Sequence, residues 1–207
     1  MNRDKAKEQY RARLELPLPS ILFLFLSLNL VICFNSCASR RAAVSENLLS
    51  AYLTDSSQFI LLPPGGIEKP MDMVQYISAS YGGREFFLGS WVKADDTGME
   101  MTFFNDLGAN MGELSYRENN VDFYSPIFPK SLRPEYIVAD YQLCFYDSLL
   151  LKKALANCAL VLEEQGNIRR VFQGKKLIIE IEKNENAVKL VNHLRGYTYT
   201  LEGDYGD

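Results

Sequence analysis

Residues Leu132–Leu155 (LRPEYIVADYQLCFYDSLLLKKAL) constrain this chain more than any other stretch. They form the one clearly helical segment after the N-terminus, and strand-like segments lie on both sides. Pro134 suits a first helical turn, and Glu135 beside it favours the positive end of the helix dipole. Ile137, Tyr141, Cys144 and Phe145 recur at i, i+4, i+7 and i+8, which predicts one apolar stripe. Asp147-Ser148 reads as a fresh N-cap, so a second short helix is expected from Leu149 to about Ala156. Asp140 and Gln142 sit inside this apolar segment. No second acid, base or metal ligand accompanies them, so they read as structural polar groups at a helix–sheet junction rather than as ligand contacts.

Before the helix, strands are expected at Gln58–Leu62, Met73–Tyr81, Glu85–Ala94, Met99–Asn105, Met111–Arg117 and Val121–Tyr124. Pro63-Pro64-Gly65-Gly66, Gly82-Gly83 and Asp95-Asp96-Thr97-Gly98 supply turns between them. After the helix, strands are expected at Ala159–Glu163, Ile168–Phe172, Lys176–Glu182, Ala187–Asn192 and Tyr197–Glu202, followed by an acidic tail, Gly203–Asp207, without evident structure. Short connections favour antiparallel pairing, so the fold class is α+β, mostly antiparallel β, with a helical insertion. Phe86 with Phe87, Phe103 with Phe104, and Phe123 with Tyr124 put aromatics on both faces of single strands. That suits a curved sheet meeting a helix on one side and something apolar on the other.

The N-terminus reads as an export signal. Arg3, Lys5, Lys7, Arg11 and Arg13 precede an apolar run, roughly Ile21–Phe34, that is shorter than the ~20 residues a membrane-crossing helix needs. The run stops at Phe34-Asn35-Ser36-Cys37-Ala38, which resembles a bacterial lipobox with Cys37 as the lipidated residue. Three segments follow from this: a lipoprotein signal over 1–36, a lipidated Cys37 with a flexible tether over 37–57, and a single domain over 58–207. Ala38, in place of an Asp after the cysteine, resembles lipoproteins sent to the outer membrane, on its periplasmic face. Cys144 and Cys158 would lie about 21 Å apart on one continuous helix, beyond the ~7 Å a disulfide tolerates. A break near Asp147 leaves their pairing open.

Several functions are disfavoured. The 207-residue chain carries a net charge of −4, and without the net-basic Met1–Ser36 it is more acidic still, so nucleic acid is not an expected partner. One histidine, His193, disfavours multi-His metal sites and His-based triads, and no Gly-x-Ser-x-Gly is present. No enzyme activity, no metal and no cofactor is expected.

The order of motifs resembles an uncharacterised family of bacterial lipoproteins, a domain of unknown function, over about Gln58–Leu201. The shared features are the lipoprotein signal, the strand meeting Pro-Pro, Leu107-Gly108, Val138-Ala139-Asp140-Tyr141-Gln142-Leu143, Arg169-Arg170 followed by Gly174, and Gly196-Tyr197. Tyr146-Asp147 stands where the family pattern has Trp-Pro. The resemblance implies a fold like the periplasmic lipoprotein carrier and the outer-membrane lipoprotein receptor. That fold is a curved half-barrel sheet with helices across its concave side, enclosing an apolar cavity. The expected function is non-enzymatic binding or transfer of a lipid, acyl or lipoprotein ligand, with Trp91, Phe103, Ile137 and Tyr141 lining the cavity. The alternative is a scaffold or interaction subunit of an envelope complex.

Overall fold

The computed structural model describes residues 48–206. The export signal over Met1–Ser36, Cys37 and the tether up to residue 47 lie outside the described residues.

The described chain opens with a small antiparallel ribbon, β1 (Ser50–Tyr52) and β2 (Gln58–Ile60), followed by a 3-10 turn at Pro64–Gly66. Then come β3 (Met71–Tyr81), β4 (Arg84–Ala94), β5 (Met99–Phe104), β6 (Asn110–Arg117) and β7 (Asn120–Tyr124). Two helices follow, α1 (Pro134–Phe145) and α2 (Ser148–Ala156). The second meander is β8 (Val161–Gln165), β9 (Ile168–Gln173), β10 (Lys176–Asn184), β11 (Ala187–Asn192) and β12 (Tyr197–Glu202). The two meanders join into one ten-stranded antiparallel sheet in the order β7-β6-β5-β4-β3-β12-β11-β10-β9-β8. The sheet is not closed: β7 and β8 are its edges, and the two helices are the connection between them.

Local chemistry explains most boundaries. Gly82 and Gly83 both take positive φ, 58° and 76°, which is the two-residue turn whose twist matches a hairpin. Asp147 caps α2, its side chain accepting from the backbone N–H groups of Leu149 and Leu150. In β5, Met99, Met101 and Phe103 are buried while Glu100, Thr102 and Phe104 are half-exposed, the alternation expected of a strand with one face inward. In β10 the alternation is interrupted. The register against β9 shifts between Leu177 and Ile179, and this bulge lets both Ile178 and Ile179 be fully buried.

The sheet is strongly bent, as its contacts with α1 require. On β6, Tyr116 donates its hydroxyl to the Leu62 carbonyl, which also accepts from Gln142 of α1. On β9, Arg169 donates to the Leu143, Cys144 and Tyr146 carbonyls. A flat sheet would hold β6 and β9, seven strand steps apart in the order, about 34 Å apart, whereas residues 142–146 span only about 6 Å of helix. The strands therefore wrap around α1.

Three sequence expectations need correction. The flexible tether over 37–57, and with it a domain beginning at residue 58, fails for the described part. Ser50–Tyr52 pairs with Gln58–Ile60, and Ala51, Leu53, Thr54 and Ser57 are buried. Secondly, α1 does not bury one stripe. Every residue from Val138 to Phe145 is buried, because the sheet lies on one side of the helix and the β1–β2 ribbon on the other. Finally, the segment after β12 is docked. Gly203 N–H donates to the Asn186 carbonyl at 3.0 Å, and Tyr205 N–H to the Glu185 carbonyl at 2.8 Å.

Candidate functional site

A helix buried on all sides must find partners for its polar side chains and for its last carbonyls. Gln142, fully buried, bonds the backbone of Leu62 in both directions: its Oε1 accepts from the Leu62 N–H at 2.9 Å and its Nε2 donates to the Leu62 carbonyl at 2.6 Å. It thereby ties α1 to the end of the ribbon. Asp140, also buried, accepts the Tyr197 hydroxyl of β12 at 2.7 Å. Burial pushes its carboxyl up to about 7, against the opposing effects of that hydroxyl and the Arg195 charge. Burial likewise pushes the Cys144 thiol up to about 12. Cys144 and Cys158 are both free thiols, which resolves the pairing left open by their spacing.

Arg169 is the buried residue that the sequence reading did not single out as a site. Its Nη1 donates to three carbonyls at the end of α1, complementing the negative end of the helix dipole. Its Nε bonds Glu164 at 2.7 Å and its Nη2 bonds Glu68 at 2.5 Å, and Lys183 joins the network at Glu68. Burial works against the Glu164 charge, but bonds from Ser148, Lys152 and Arg169 hold its carboxyl below the ordinary range. Asp140, Gln142, Arg169 and Tyr197, four residues of the motifs that carried the family resemblance, are thus the fastenings of α1. Asp140 and Gln142 lie where α1 meets β12 and the end of the ribbon.

The four residues expected to line one cavity do not share one. Cross-strand register places Trp91 beside Val74 and Thr102, whereas Phe103 lies in the neighbouring row with Ser90 and Gln75. Ser90, Gln75 and Phe103 are buried, so Phe103 faces inward and Trp91 faces outward, its indole N–H on Asp72 at 2.9 Å. A period-two strand puts adjacent positions on opposite faces, and Trp91 and Phe103 fall on opposite sides once the strands are paired. Phe103 packs edge-on against Phe128, at 5.8 Å between ring centroids. Ile137 is half-buried against the core on α1.

Tyr141 is buried, and like the other three it does not line the pocket found at the end of α1. Its ring lies 4.6 Å from that of Phe145, and Phe145 stacks on Tyr205 at 5.5 Å. The Tyr141 hydroxyl meets the Met71 sulfur at 3.6 Å. Beyond this column, an open pocket of about 1090 Å³ lies where the start of β3, the end of α1, the β10–β11 turn and the segment after β12 converge. Met71, Met73, Phe145, Val188 and Tyr205 give it apolar walls, and Lys69, Lys183, Glu185 and Asp204 are among its charged residues. The lining is thus a mixture of apolar and charged side chains. Among the described residues no group of three or more His, Cys, Asp or Glu is placed to hold a metal ion. No described helix is long and apolar enough to cross a membrane.

These features define a class: an open antiparallel sheet wrapped around a helical insertion, with a pocket of mixed apolar and charged lining where the helix ends. Residues 72–203 match the family described as protein of unknown function, DUF3261, and the chain belongs to that family. No curated protein matches the chain.

Proposed function

We propose that this chain is a lipoprotein, tethered to the membrane through Cys37, that binds or transfers a lipid, acyl or lipoprotein ligand without enzymatic chemistry. In this reading the bent sheet is a half-barrel of the kind found in the periplasmic lipoprotein carrier and the outer-membrane lipoprotein receptor, and the chain sits at the periplasmic face of the outer membrane. The observation that carries it is the pocket: Met71, Met73, Phe145 and Tyr205 present apolar and polarisable surface where α1 ends. Burying an acyl chain there contributes about 25 cal/mol per Å² of apolar area removed from water. The ligand site moves accordingly from Trp91 and Phe103 to the end of the Tyr141–Phe145–Tyr205 column. Native mass spectrometry of the full chain, with extraction and identification of bound lipid, tests the reading. A stoichiometric lipid or acyl compound supports it, and an empty protein overturns it.

One observation favours the second reading, a scaffold or interaction subunit of an envelope complex. Val74, Tyr76 and Phe87 are 49%, 63% and 66% exposed on β3 and β4, and Val74 pairs directly with outward-facing Trp91. On that reading Tyr76→Lys disrupts a stable co-purifying protein and leaves bound lipid unchanged.

A further inference from the structure

Gln75 is a fully buried side chain of β3 whose polar groups are only half satisfied. Its Oε1 accepts the Tyr205 hydroxyl at 2.8 Å, while its Nε2 has no partner. A buried amide donor left unpaired is uncommon in a folded protein and calls for an explanation. Gln142, the buried amide of α1, has both ends bonded. What covers Gln75 is also unusual. Tyr205 belongs to the short segment after β12 and lines the pocket, with its ring stacked on Phe145. Beyond that stack and the Gln75 bond, the half-buried Tyr205 packs against the core, Gly203 lies close against Met73, and a few hydrogen bonds complete the attachment. Gly203 and Tyr205 bond backbone carbonyls of the β10–β11 turn, and Lys69 bonds the Gly206 carbonyl at 2.6 Å. Short segments with few bonds belong to the parts of a protein that open at low cost.

The geometry points to an acyl subsite beneath Tyr205, where the tyrosine hydroxyl donates to Gln75 Oε1 and the amide's Nε2 is left for the acceptor oxygen of a lipid end. On lifting of residues 203–206, a protonated carboxylic acid or an ester on a long alkyl chain takes the tyrosine's place, the acid's O–H donating to Gln75 Oε1 as the tyrosine does and the ester leaving that oxygen to water. The ligand's carbonyl oxygen accepts from Gln75 Nε2, and its first methylenes lie against Phe145, Met71 and Met73. The inference rests on the acyl-binding reading and deepens it by naming the end of the ligand that is recognised: an acceptor oxygen, not a bare hydrocarbon terminus.

The test is photolabelling of the full chain in lipid nanodiscs with three probes of equal length: diazirine-bearing palmitic acid, its methyl ester and a diazirine-bearing hexadecane. Labelled residues are mapped by peptide mass spectrometry. The acid or the ester should label the stretch Met71–Gln75 about three- to tenfold more than the hydrocarbon, the factor one net hydrogen bond supplies. Whichever of the two labels more strongly distinguishes a free fatty acid from an esterified lipid as the source. Tyr205→Ala, a change in the segment after β12, should raise that labelling, and Gln75→Leu should erase the preference over hydrocarbon. The probe comparison on the unaltered chain needs neither variant to fold. Pocket labelling equal for all three probes and unmoved by Tyr205→Ala overturns the subsite and leaves the acyl reading standing. No labelling by any probe removes both.

Discussion

Gln142 and Gln75 are both fully buried amides facing the same interior, one from the helix and one from the sheet, and their surroundings are opposite. Gln142 closes a two-way bond with the backbone of Leu62, in a junction where Asp140 and Arg169 are bonded as well. Gln75 has one bond, made by a residue of the segment after β12 beside an open pocket. The first region has the bonding of a permanent fastening. The second leaves a buried donor open, at the place where we propose that a ligand binds. Polar groups inside a protein are expensive to leave unpaired, so the unpartnered Nε2 sets Gln75 apart from Gln142 more sharply than burial does.

The largest effect should come from Arg169→Ala at the junction. It leaves three α1 carbonyls without a side-chain donor and takes one partner each from the partly exposed Glu164 and Glu68, a loss of about 3 kcal/mol, the upper range for hydrogen bonds to charged groups. Urea unfolding reads this directly. A loss below about 1 kcal/mol, the range of a surface pair, would show that Arg169 fastens nothing.

Asp140 gives the junction a pH signature. Its carboxyl is held near 7 in the folded chain, above the ordinary value of 3.8, so the fold favours the protonated form. The stability this contributes is fully present below pH 3.8 and is lost as pH rises to about 7, at ~1.4 kcal/mol per pH unit within that window. Asp140→Asn keeps an acceptor for Tyr197 and should flatten stability between pH 5 and 7 relative to the parent. Parallel curves for the two proteins would refute the assignment.

Much of the junction was legible before the structure, and little of the pocket was. Asp147 as the cap of a second helix followed from one acidic residue at the end of an apolar run, a local signal with a local cause. The strands of both meanders followed from turn residues and alternation for the same reason. Arg169 was visible as part of a motif, but its direction depends on pairing with Glu164 in β8 and Ile181 in β10, which periodicity in β9 does not contain. Trp91 and Phe103 went to opposite faces for a similar reason: adjacent strands set the rows, and a shift of one residue exchanges the faces. Tyr205 was hidden in a short acidic tail, where no pattern distinguishes a docked aromatic from a solvated one. β2 was expected within Gln58–Leu62, but its partner β1 was missed because a three-residue strand is too short to show alternation.

Two tyrosines offer the finest division between the regions, since each donates its hydroxyl to one buried polar group. Tyr197 serves Asp140 at 2.7 Å and Tyr205 serves Gln75 at 2.8 Å. If the junction is sealed, Tyr197→Phe at pH 8 strands an ionised carboxylate and should cost about 1.5–3 kcal/mol, the range for bonds to charged groups. The same change at Tyr205 removes a bond beside an open pocket, where water reaches the freed amide once the segment loosens. Its cost should stay at about 0.5 kcal/mol, the low end for a net hydrogen bond. Urea unfolding of the pair, with amide hydrogen exchange at Gly203–Tyr205, measures both. Faster exchange in the segment at nearly unchanged global stability is the expected pattern for a cover that lifts. Equal costs from the two substitutions would mean that Gln75 is sealed as firmly as Asp140, and the distinction between fastening and site would fall at its most exposed point.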